Sequence, residues 1–302
     1  MRVPDTVPTA KRADLRALLE PLTELPGVVA IALGGSTARG RNGPGSDLDI
    51  GVYYSETEPF AIDDVQRVID GVTSEPRPKT TDFYEWGPWV NGGAWIPMDS
   101  GRIDLLYRCI EHVERSIVEA KRGEFSLHFG QQPPYGFHSV VYLGETRICV
   151  PIHDPRGVLA RLKRQIREYP PALRRELVAS TLFSAEFTLA TASRTAASGD
   201  VYGTVGCLTR AVAELVRALF AANEEFMLTD KGALEEASSL ARAPSGFAAQ
   251  AARVLSRPGS DPAELRASVH ALDVLFRDVV AASAPDYEPK YALGVLNPEP
   301  VS

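Results

Sequence analysis

Six consecutive apolar residues, Val28-Val29-Ala30-Ile31-Ala32-Leu33, run into Gly34-Gly35-Ser36, and ten residues separate Ser36 from Asp47-Leu48-Asp49-Ile50. A continuous, β-branched apolar run of that length reads as a buried strand. The glycines end it, because a backbone without side chains turns sharply and lets a ligand approach closely. Ser36 is placed to cap a short helix through Thr37-Ala38-Arg39, leaving N–H groups pointed at an anion. Asn42-Gly43-Pro44-Gly45 then breaks the chain, and 46–54 reads as a second strand. A turn suited to phosphate therefore stands beside a strand start suited to a divalent cation.

Side chains alternate along a strand, so Asp47 and Asp49 project to one side, roughly 6.6 Å apart, while Leu48 and Ile50 enter the core. Two carboxylates on one face of a buried strand repel each other and lose solvation unless a cation neutralises them. Magnesium suits that role, with its preference for carboxylate and phosphate oxygens.

A third carboxylate comes later. Two apolar stretches, 93–98 and 102–107, flank Asp99-Ser100-Gly101 in the pattern of a hairpin turn. In the second, Ile103, Leu105 and Tyr107 share one face, and Asp104 stands mid-strand on the other. Such an Asp is disfavoured without a purpose. The alternative is a half-exposed carboxylate paired with Arg102 or Arg108.

Gly35-Ser36, the ten-residue gap, Asp47-x-Asp49 and Asp104 together resemble the nucleotidyltransferase superfamily that includes DNA polymerase beta. Within it, the chain is most similar to the small-molecule branch typified by kanamycin, streptomycin and lincosamide nucleotidyltransferases. The resemblance implies an α+β N-terminal catalytic domain, a mixed sheet flanked by helices, followed by an all-α C-terminal helical bundle. It further implies transfer of a nucleoside monophosphate from a nucleoside triphosphate to a hydroxyl of a small molecule, with magnesium, in a two-metal site, as cofactor. Asp47, Asp49 and Asp104 would hold metal, with Asp104 also taking the acceptor's proton; Gly35, Ser36 and Arg39 would hold the phosphates. By the same resemblance a lysine of the helical domain reaches the triphosphate, and Lys231, just after a helix break, is the best-matched candidate. For Arg39 and Lys231 the alternative is an ordinary surface cation. A toxin-type enzyme modifying tRNA or protein, and a catalytically silent nucleotide-binding module, are the competing readings.

At 302 residues, with 44% hydrophobic and 24% charged, the chain is long enough for two soluble globular domains. Its net charge of −7 argues against a broad nucleic-acid surface and is compatible with a cationic small-molecule acceptor. The 3 cysteines and 5 histidines show no paired spacing, so neither a disulfide framework nor a zinc site is expected. No apolar run is long enough to span a bilayer and the first residues lack a signal peptide, so a cytoplasmic location is expected.

The remaining pattern predicts helices over 13–25, 58–72 and 110–120, and an irregular loop over 82–93 whose Trp86 and Trp89 could stack a base or substrate ring. The catalytic domain is expected over 1–122, a connector with a strand pair over 123–155, including a strand at 139–143, a helical bundle over 156–285, and a loose tail over 286–302. Basic residues between Arg161 and Arg175 read as a solvated helix face.

Overall fold

A computed structural model describes residues 2–41, 43, 46–74 and 77–291 of the chain. Most of the expected breaker at 42–45 and the end of the expected tail, 292–302, lie outside the described residues. The chain divides at residues 119/120, 124/125 and 168/169 into two compact units.

The first unit carries, in order, α1 (Arg12–Thr23), β1 (Ala30–Leu33), α2 (Gly35–Ala38), β2 (Leu48–Tyr54), α3 (Ile62–Val72), β3 (Gly93–Met98), β4 (Gly101–Cys109) and α4 (Ile110–Lys121). A short pair, β5 (Leu127–His128) with β6 (Phe137–His138), is followed by α5 (Val141–Ile148), β7 (Val150–His153) and α6 (Val158–Gln165). The main sheet is mixed, in the order β3-β4-β2-β1-β7. β2 and β4 run parallel, because the chain crosses over through α3 between them, and all other neighbours are antiparallel.

Alternation divides the sheet into two faces. Ile31, Leu33, Leu48, Ile50, Ile103 and Leu105 point to one side, where Leu15, Leu18 and Leu22 of α1 and Val65 and Ile69 of α3 complete a dry core. On the opposite face, α5 covers one end: the Arg108 guanidinium, almost fully buried, pairs with Glu145 at 2.9 Å. The other end carries the carboxylates.

The second unit is helical: α7 (Pro171–Ala197), α8 (Val201–Ala222), α9 (Ala233–Ser238), α10 (Phe247–Ser256) and α11 (Pro262–Ser283). Its helix starts are written locally. The Asp200 carboxylate accepts from Gly203 N at 2.9 Å to begin α8. Asp261 accepts from Ala263 N and Glu264 N, with Pro262 at the first helical position, to begin α11. Leu182, Leu189, Leu215, Leu219, Leu272 and Phe276 fill the centre. The fold is thus the expected mixed sheet with flanking helices followed by a helical region.

Three local expectations are corrected. The segment 139–143 is not a strand: it leads into α5, with Tyr142, Leu143 and Thr146 buried at helical spacing. Its β-branched residues favour a strand, and tertiary packing overrides that preference. Ser36 does not cap a helix; Gly34 occupies the cap of α2 and Ser36 lies within the turn. The stretch from 286 is held where it is described, since Tyr287 Oη donates to Glu186 at 2.7 Å and the Tyr291 amide donates to the same carboxylate.

Candidate active site

The register places Asp49 of β2 directly beside Asp104 of β4, and Asp104 directly beside Trp95 of β3. Directly paired residues of neighbouring strands point to one side. A row therefore crosses the open end of the sheet: Asp49, Asp104, Trp95. Asp47, immediately before β2, joins it through Arg102. The Arg102 guanidinium grips Asp104 with Nε at 2.7 Å and Nη2 at 3.2 Å, and Nη2 also donates to Asp47 Oδ2 at 2.5 Å. This planar fork is the geometry that suits guanidinium to carboxylates. The pairing of Asp104 with Arg102 is present; Arg108 is instead committed to Glu145.

The glycine turn closes the row at its other end. Gly34 N donates to Asp49 O at 2.8 Å, which ties the turn to β2. Gly35 has φ +59, and a side chain there would collide with the Asp49 carboxylate, so the bare backbone of Gly35 lies against Asp49. Ser36 and Arg39 follow within one helical turn and are half-buried. The Thr37 hydroxyl beside them is buried without a hydrogen-bond partner. Lys231 lies in the second unit, in the turn before α9, where its amide donates to Thr229 Oγ1.

The electrostatics are those of an under-neutralised acidic site. Burial, with Asp104, Glu145 and Asp47 adding repulsion against the attraction of Arg108, pushes the Asp49 carboxyl up to about 6. Burial also raises Asp104, opposed by its bonds to Arg102. The Arg102 guanidinium is held in its charged form chiefly by its bond to Asp104.

Two anchors from the N-terminal segment hold the row, and neither is marked by any sequence pattern. Lys11, buried, donates from Nζ to Ser46 O at 2.5 Å, fixing the residue before Asp47. Asp14 of α1 accepts from Ser100 N at 3.1 Å, fixing the β3–β4 turn. Of the tryptophans, Trp89 is packed among His112, His128, Phe137 and Tyr142 and is structural. Trp86 stacks on Trp95, with ring centroids 4.9 Å apart.

Residues 15–117, which contain the whole row, match the family model described as "Nucleotidyltransferase domain". Residues 144–231 match the model described as "Domain of unknown function (DUF4037)". No curated protein matches the chain. Among solved structures, the chain is similar to the nucleotidyltransferase-like protein from Exiguobacterium sibiricum 255-15, at 10% identity and a TM-score of 0.44, over 92% of this chain and 78% of that one. The domain match supports nucleotidyl transfer as the general activity.

Proposed function

We propose that the protein transfers a nucleoside monophosphate from a nucleoside triphosphate to a hydroxyl of a small molecule, releasing pyrophosphate. The observation that carries this reading is the row itself, with Gly35 against Asp49, Asp49 beside Asp104, and Asp47 linked to Asp104 by a cation.

The donor chemistry fits magnesium: hard carboxylate oxygens line one sheet face, and a guanidinium already stands between two of them as a cation. Among the described residues no three acidic, His or Cys side chains form a ready-made metal cage. Arg102 occupies oxygens of Asp47 and Asp104 that a metal would use, so those contacts must loosen as it binds. Asp47, Asp49 and Asp104 would hold the ion. When bound, magnesium would neutralise phosphate charge and acidify the acceptor hydroxyl.

The chain's own residues do the rest. The Gly35 and Ser36 amides, which have no acceptor within so short a helix, and the Arg39 guanidinium hold the pyrophosphate portion. Asp104, raised by burial and so closer to the working range of a base, takes the acceptor proton. The acceptor oxygen bonds to the α-phosphorus as the bond to pyrophosphate breaks, the two oxygens being roughly in line. A role for Lys231 at the triphosphate rests on family resemblance, and Lys231→Ala tests it through the nucleotide KM. The whole reading is tested by pyrophosphate release with each nucleoside triphosphate against a panel of hydroxylated acceptors. Asp104→Asn should abolish release while the protein stays folded by circular dichroism. Release unaffected by that change would refute the assignment.

A further inference from the structure

Lys11 is a buried cation that the proposed reaction leaves unused, and Asp14 stands one helical turn further on. Lys11 ends a short turn of 3₁₀ helix, Thr9–Lys11, and α1 follows directly. Burying an ammonium is costly unless it is hydrogen-bonded, and the bond from Nζ to Ser46 O is what a lysine supplies here that an apolar side chain would not. The ammonium also runs along bare backbone: a methyl group built on Gly101 would lie 3.0 Å from Lys11 Nζ and 3.5 Å from its Cε. Asp14 accepts from the amide of Ser100 at 3.1 Å and from the Ser100 hydroxyl. The start of α1 therefore grips both segments that lead into the carboxylate strands, Ser46 before β2 and Ser100 before β4.

The same two strand starts are tied a second time, from the other side. Leu48 beside Ile103 is the first pair of the β2–β4 ladder, so Asp47 stands just outside it and its place relative to Asp104 leans on side chains. Arg102 lies two residues before Asp104 and so rises from the carboxylate face, where it joins Asp47 to Asp104. Lys11 and Asp14 come from α1, which packs on the opposite, apolar face. The two ties differ in one respect, which rests on the metal reading above. Arg102 holds the oxygens that a metal would use, whereas Lys11 and Asp14 touch none of them. The Arg102 tie is thus given up just when the carboxylates must keep their spacing. We infer that Lys11, with Asp14, is a positioning residue of the row: this brace keeps Asp47 at its distance from Asp104 while the Arg102 tie is loosened. Either tie suffices alone, and the strand starts part only when both are gone.

Hydrogen exchange of the full chain, free of metal and nucleotide, tests the brace in peptides covering 46–52 and 99–105. Lys11→Met keeps the apolar stem and removes the ammonium. Alone, Lys11→Met and Arg102→Gln should each leave exchange within about threefold of wild type. Together they should speed it about tenfold or more, beyond the product of the single effects. Lys11→Arg in the Arg102→Gln background should keep most of the protection. Asp14→Ala in that background should free 99–105 more than 46–52, and it decides the matter if Lys11→Met fails to fold. Single effects that merely multiply overturn the proposal, as does faster exchange spread evenly over the first unit in Lys11→Met, the mark of a residue needed only for stability. In parallel, manganese is titrated as the metal probe and followed by electron paramagnetic resonance. The Lys11→Met, Arg102→Gln double variant should bind it about tenfold more weakly than Arg102→Gln, because carboxylates that must first be ordered bind less tightly. Equal manganese affinity in those two overturns the brace as a support for metal capture. If wild type binds no manganese while exchange behaves as stated, the brace stands and the nucleotidyl-transfer reading falls.

Discussion

Gly35→Ala probes the contact between the turn and the carboxylates. A methyl group built on Gly35 would lie 1.8 Å from Asp49 Oδ2, 2.6 Å from its Cγ and 3.1 Å from its Cβ. Relief requires the carboxylate oxygen to retreat by more than about 1 Å, and the nearby Cβ prevents rotation alone from achieving it. A misplacement of about 1 Å in a reacting constellation costs on the order of 100-fold in rate. A second cost is backbone strain at φ +59, about 1–2 kcal/mol for a residue with a side chain. Gly40→Ala separates the two effects, because Gly40 has φ +67 and nothing within 4 Å of the added methyl. Both variants should lose about 2–8 °C in Tm, the range for that strain in a unit of this size. Only Gly35→Ala should lose pyrophosphate release, by about 100-fold. Equal activity in the two variants, with equal Tm losses, would refute the idea that Gly35 is bare so that Asp49 can sit against it.

Three further outcomes follow from the charges. Arg102→Gln should lower Tm in EDTA, because Asp47 and Asp104 lose their cation, and magnesium should raise its Tm more than that of wild type; equal magnesium shifts by scanning fluorimetry would argue against shared oxygens. Since the folded Asp49 carboxyl sits at about 6 against an ordinary 3.8, the folded state binds more protons between those values, and metal-free stability should fall as pH rises through that window. Asp49→Asn should remove this decline in urea titrations at pH 4.5 and 7.5. Glu145→Ala strands the buried Arg108 charge and should cost about 3–5 kcal/mol in chemical denaturation, the scale of a broken buried pair.

What the sequence disclosed was whatever depends on alternation along one strand. The placement of Asp49 and Asp104 on the face opposite Leu48, Ile50, Ile103 and Leu105 follows from a period of two residues and appears in the fold, whereas Asp47 lies just before β2. What it hid depends on register between strands. Nothing in 93–98 says that Trp95 pairs with Asp104 instead of lying two residues away, and a shift of one position would have turned the indole into the core. Arg102 was visible as a neighbour of Asp104, but its second bond, to Asp47, exists only because β2 and β4 lie side by side. Lys11 and Asp14 escaped notice for the same reason: a helix residue that satisfies one distant carbonyl or amide leaves no pattern. Helix α5 was misread because Val and Tyr favour a strand in isolation, whereas burial of Tyr142 and Leu143 and the pairing of Glu145 with Arg108 select the helix.

The anchoring of the row by α1 and its lead-in has a practical consequence for anyone cutting the chain. A fragment of residues 15–117 would keep Asp47, Asp49 and Asp104, the glycine turn and both stacked tryptophans. It would lose the ammonium on Ser46, the carboxylate on Ser100 and the lid over Arg108, and it would leave β1 with a bare edge where β7 had been. An unpaired strand edge is a template for joining another copy. Such a fragment should aggregate or open at the row, so a failed assay on it would report on the cut and not on the chemistry.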